Sequence, residues 1–144
     1  MVEVKDFDLF KENTFSIIKD IADEMPIKDN DGDFVFKDSG MAFLCVFQAT
    51  DPAFVRIILP NFIAVEDSQL EQAYALIARL NRENKVAKPF LNDRDKNAVR
   101  ASVAVELLAS SPDYFDKPLF KRCVKILNAA AQEFASNMSP PTDI

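Results

Sequence analysis

The chain has 144 residues, 49% hydrophobic and 28% charged, with two glycines, two cysteines and no histidine. A chain of that length buries roughly 70% of the surface its unfolded form exposes, so it can hold a core without a metal or disulfide staple. The missing imidazole excludes Ser-His and Cys-His nucleophile pairs and histidine-ligated metals, and Gly32 and Gly40 are too few for a glycine-rich phosphate loop.

The formal charge is −6. Residues 1–38 hold eleven acids against five lysines, and residues 39–144 hold twelve of each sign. All the net charge therefore sits in the first quarter of the chain, which disfavours nucleic acid or an anionic membrane as a partner there. Cys45 and Cys123 have no C-x-x-C neighbour and read as buried thiols of a reducing compartment. MVEVKDFDLF lacks a basic n-region and an apolar h-region, and no apolar stretch reaches the ~18 residues of a membrane span, so a cytoplasmic protein is expected.

Residues 8–25 carry an amphipathic helical period (Leu9, Phe10, Phe15, Ile17, Ile18, Ile21, Ala22, Met25) closed by Pro26. The period then falls to two. Strands are predicted over 34–37, 41–49 and 53–59, separated by Asp38-Ser39-Gly40 and Thr50-Asp51-Pro52 and stopped by Pro60. The strand 41–49 is apolar on both sides, which predicts a central strand covered on both faces. A helix over 68–84 follows, capped by Asp67 or by Ser68 with Glu71 in S-x-x-E spacing, with Leu70, Ala73, Tyr74, Ile77 and Leu80 as its apolar stripe. Residues 86–91 form a short strand that Pro89 confines to an edge or a bulge. Asn92–Asn97 turns the chain into a well-alternating strand over 98–108. The last helix spans 116–137, with Asp116 as N-cap and Pro118 in the first turn, and the tail 139–144 is expected to be disordered. Residues 1–144 read as a single domain with an ordered core of about 8–138.

Candidate chemistry is sparse. Asp29-Asn30-Asp31-Gly32-Asp33 fails the calcium-loop register, because Gly32 at position 6 puts Ile27 at position 1, and a polar turn is the better reading. The pairs Asp93/Asp95 and Asp113/Asp116 occupy turn and cap positions where acids serve local hydrogen bonds. The one basic concentration, Arg79, Arg82, Lys85, Lys88, Arg94, Lys96 and Arg100, lacks interleaved aromatics and reads as a solvated rim able to meet an acidic face. Most phenylalanines, including Phe15, Phe34, Phe36, Phe43, Phe47, Phe54, Phe120 and Phe134, fall on predicted core faces. Phe62, Phe90 and Phe115 fall at element ends or in loops, and with Arg100 they are the candidate protein-binding residues.

The helix ending Leu76-Ile77-Ala78-Arg79-Leu80-Asn81-Arg82-Glu83-Asn84, the short strand to Leu91 and the strand Val99–Glu106 stand within an element order α-β-β-β-α-β-β-α. That order, over residues 8–137, resembles the YbjN-type family and the fold it shares with class I type III secretion chaperones. The resemblance implies a small acidic bacterial α+β protein with a twisted antiparallel sheet of about five strands and flanking helices. It further implies a homodimer that binds an extended segment of a protein client by strand addition at an open edge, here 86–91 or 34–38. The expectation is a non-enzymatic binding module with a protein client or regulatory partner and no catalytic residue, cofactor or metal. The alternatives are a small-molecule-sensing or regulatory domain with a Phe-lined pocket, and an enzyme working through Asp, Lys or Cys alone.

Overall fold

In a computed structural model, which describes residues 1–92 and 99–140, the predicted meander and hairpin join in one antiparallel sheet. The elements run α1 (Phe7–Ile21), β1 (Ile27–Lys28), β2 (Phe34–Asp38), β3 (Met41–Gln48), β4 (Asp51–Val65), α2 (Leu70–Glu83), β5 (Lys88–Leu91), β6 (Val99–Leu108) and α3 (Lys117–Asn137). Short 3-10 turns lead into α1 and α2. The strand order is β1-β2-β3-β4-β6-β5. The class is α+β, as expected, with six strands where about five were predicted; the additional one is the two-residue β1.

Local chemistry explains most boundaries. Ser39 and Gly40 both take positive φ (54° and 79°) between the paired Asp38 and Met41, the two-residue turn that matches strand twist. Asp116 accepts the Leu119 N–H at 2.7 Å and Pro118 sits in the first turn of α3, as its sequence predicts. The first helix is shorter than its period: after Ile21 the Asp23 N–H donates to the Lys37 carbonyl at 2.8 Å, drawing residues 22–28 alongside β2. The α2 cap forms two residues before the predicted box, with the Glu66 N–H donating to Gln69 Oε1 at 2.9 Å. Pro60 does not end β4. It falls where the β4–β6 register shifts between Leu59 and Ile63, in a bulge that needs no ladder donor from it, and pairing resumes to Val65.

All three helices pack on one side of the sheet. The inner residues of β2, β3, β4 and β6 join α1 and α3 in one core, and Val65 and Ala101 join Ala73, Leu76 and Leu80 of α2 in a second. Phenylalanine rings fill the first core as an unbroken chain, Phe34–Phe47–Phe10–Phe115–Phe120–Phe36–Phe43, with successive centroids 5.1–6.1 Å apart. The expectation that β3 would be covered on both faces is corrected: Leu44 and Val46 point away from the helices and remain half-buried. Phe54 is corrected likewise. It pairs with Leu108 in register with Arg56 and Ile58, on the face opposite Val55 and Ile57. The tail is tied down at Ser139, whose carbonyl accepts from Gln69 Nε2 at 2.8 Å, and residues 141–144 lie outside the described residues.

Candidate protein-binding groove

The helix α2 carries two apolar stripes where its sequence suggested one. Ala73, Leu76 and Leu80 are buried in the core. Leu70, Tyr74, Ile77 and Asn81, spaced three and four residues apart, form the flank beside them. That flank faces the edge strand β5, and the two elements enclose an open groove of about 430 Å³ whose far wall is Pro89, Phe90, Leu91 and Val99. Among the described residues β5 pairs only with β6, so it is the sheet edge predicted from Pro89. The other predicted edge, 34–38, is covered by β1.

The groove is apolar apart from Asn81 and Asn92 at its two ends. Tyr74 is 61% exposed on its rim. Asn81 Oδ1 is shut from solvent and accepts no hydrogen bond among the described residues. Lys88 fixes the spacing between the walls by donating to the Asn81 and Asn84 carbonyls at 2.9 and 2.6 Å, a cation on the C-terminus of α2. At the other end a polar network joins three strands or their extensions. Ser102 Oγ accepts the Asn61 N–H at 2.9 Å and donates to Asn92 Oδ1 at 3.2 Å, and Asn92 Nδ2 donates to Asn61 Oδ1. Asn61, at φ 52°, is the strained residue of the β4 bulge, so the network holds the bulge and the end of β5 together.

The four residues singled out from sequence fall in different places. Phe90 borders the groove, but it pairs with Ser102 and turns its ring to the far face of the sheet, where the Arg56 guanidinium lies 4.9 Å from the ring centroid. Arg100 is exposed on β6, paired with Ala64. Phe62 packs edge-on against Phe134 at 5.7 Å, and Phe115 is 5% exposed within the ring chain. The structure therefore sets Phe90 at the groove margin with its ring on the far face, and seats Phe62 and Phe115 against the core. Tyr74, Ile77 and Asn81 were not selected from sequence; the signal for them was that Leu70, Tyr74, Ile77 and Asn81 exceed what one buried stripe needs. Arg79 pairs with Glu83 at 3.8 Å on the solvent side of α2, while Arg94 and Lys96 lie outside the described residues.

The remaining reactive groups are held by the backbone or by burial. Asp29 Oδ1 accepts from the Asp31 and Asp33 N–H groups, both at 2.9 Å, making the polar β1–β2 turn its sequence predicts. Burial raises the Asp33 carboxyl above its usual range, opposed by the Phe47 N–H that it accepts and reinforced by Asp29 and Asp31. Burial also pushes both thiols up, Cys45 the more strongly. Asp116 is occupied as the cap of α3 and Asp113 accepts from Ser111 Oγ at 2.9 Å, while Asp93 and Asp95 lie outside the described residues. Among the described residues, no helix is long and apolar enough to cross a membrane.

A six-stranded antiparallel sheet with three helices on one face defines a YbjN-type α+β fold. The crystal structure of YbjN from E. coli, described as a proposed transcription regulator, matches with a TM-score of 0.64 and 11% sequence identity, covering 90% of this chain and 96% of that one. No family model and no curated protein matches the sequence.

Proposed function

We propose that this protein is a non-enzymatic binding module that takes an extended segment of a partner protein into the groove between α2 and β5, and works as a cytoplasmic homodimer in the manner of the secretion chaperones its fold resembles. The observation that carries this reading is an apolar groove at an open sheet edge. An edge strand offers unpaired backbone groups to a guest strand, and the pockets beside it read alternate side chains. Pro89 lacks an N–H and shortens any ladder β5 can add, so side-chain contacts with Tyr74, Ile77 and Leu91 supply most of the affinity. Arg100, exposed one strand away, contributes a charge at the margin.

A regulatory role is the second reading, favoured by the description of YbjN as a proposed transcription regulator. It would use the same groove for a regulatory protein partner. A small-molecule sensor with a Phe-lined interior pocket is disfavoured, because ring-to-ring contacts occupy that space. Selection from a displayed random-peptide library tests the proposal. Selected peptides should carry apolar residues at alternate positions and lose about tenfold or more in affinity against Tyr74→Asp or Ile77→Asp. Peptides whose binding is indifferent to both substitutions would place recognition elsewhere.

A further inference from the structure

The face of the sheet turned away from the helices carries an apolar patch. Its residues Leu44, Val46, Phe54 and Phe90 belong to neither core, and Leu108 is 56% exposed. An antiparallel sheet with one solvated face ordinarily alternates to polar residues there; Arg56, Arg100, Ser102 and Glu106 follow that rule, whereas Leu44, Val46, Phe54 and Leu108 do not. From this we infer that the second face is the contact surface between two copies of the chain, packed sheet on sheet; the inference rests on the homodimer in the proposed function and names the surface that forms it.

Three observations favour a second copy over any other occupant. The first is charge. The middle of the face holds one cation and one anion on adjacent strands, Arg56 on β4 and Glu106 on β6, 3.2 Å apart. A two-fold axis between those strands sets each Arg56 near the partner copy's Glu106, so identical surfaces meet with charges matched. The chain carries −6 overall, and a contact through its acidic first quarter would be repelled. Second, the Arg56 guanidinium, 33% exposed, meets the Glu106 carboxylate through Nε at 3.2 Å, which leaves its outer nitrogens for a second carboxylate. The third is size. From β2 to β5 five strands at ~4.8 Å spacing span ~24 Å, and six or seven residues along a strand span ~20 Å, giving ~500 Å² per copy. Two copies bury ~1,000 Å² even as flat projections, the area that a biological interface should clear.

Sedimentation velocity at micromolar concentration tests this with the full chain. The wild type should sediment at twice 16.2 kDa. Leu108→Glu, at a position already exposed in the monomer, and Leu44→Lys, at the centre of the face, should each weaken the dimer by about a hundredfold or more while leaving the circular-dichroism melt cooperative. Gln132→Lys on the exposed side of α3 should leave it intact. A dimer that survives both face substitutions overturns the assignment of the surface and leaves the homodimer standing. A monomeric wild type overturns both. Flotation of a monomeric wild type with phosphatidylcholine vesicles would assign the face to lipid and likewise overturn the inference.

Discussion

Replacing Phe10 by Ala removes the ring at the junction between α1 and the sheet. Phe10 is 0% exposed, meets Phe47 edge-on at 5.6 Å and stacks on Phe115 at 6.1 Å. A buried Phe→Ala change costs ~3–5 kcal/mol in transfer and cavity terms, and two well-placed ring neighbours put Phe10 in the upper part of that range, about 4 kcal/mol. For a chain near this size each kcal/mol lowers Tm by ~3 °C, so Phe10→Ala should melt ~12 °C below the wild type. Phe10→Leu keeps most of the volume and should lose about a third as much. Urea unfolding followed by far-ultraviolet circular dichroism gives the free energies directly. A loss below ~1 kcal/mol with an unchanged urea m-value would refute the close-packed ring chain and return the Phe-lined pocket to consideration.

Four further outcomes follow from other parts of the molecule. Asp33 has its carboxyl pKa raised by burial, so the folded protein binds that proton more readily than the unfolded chain; its contribution to stability grows as pH falls through the folded pKa and levels off below 3.8. Asp33→Asn keeps an oxygen for the Phe47 N–H and should be more stable than wild type at neutral pH, with the difference shrinking toward acid in urea titrations; a difference independent of pH would contradict this. Cys45 and Cys123, whose thiols burial raises, should react with Ellman's reagent only after unfolding, and a fast-reacting thiol in native protein would contradict their placement. Ser102→Ala should cost ~1–2 kcal/mol by orphaning the Asn61 N–H, read by urea unfolding, and a neutral result would remove the bulge network as a structural element. Asp116→Ala should cost ~1 kcal/mol in the same assay, as expected for an N-cap.

What was legible in the sequence was what depends on neighbouring residues alone. The β6 alternation, the Asp116–Pro118 helix start, the Ser39-Gly40 turn and the edge position enforced by Pro89 are all local chemistry, and the structure places each as read. The errors arose where distant groups compete. Residues 22–25 continue a helical period, yet the Lys37 carbonyl takes the Asp23 N–H and helix α1 stops. Pro60 reads as a strand end until a bulge accommodates it, and the bulge depends on Ser102, 41 residues beyond Asn61. The apolar character of both sides of β3 was plain, but helix placement on a single face was not, because strand periodicity does not say which face a helix will cover. The groove was half legible for the same reason: Phe90 stood out at an element end, whereas Tyr74 and Ile77 merged into the helix stripe until β5 was set beside them.

Hydrogen-exchange mass spectrometry of the protein with and without a library-selected peptide tests the central claim most directly. Insertion of the peptide beside β5 should slow exchange across 88–91 and along 70–81 while leaving α1 unchanged. Protection confined to other elements, with 88–91 exchanging as in the free protein, would contradict it.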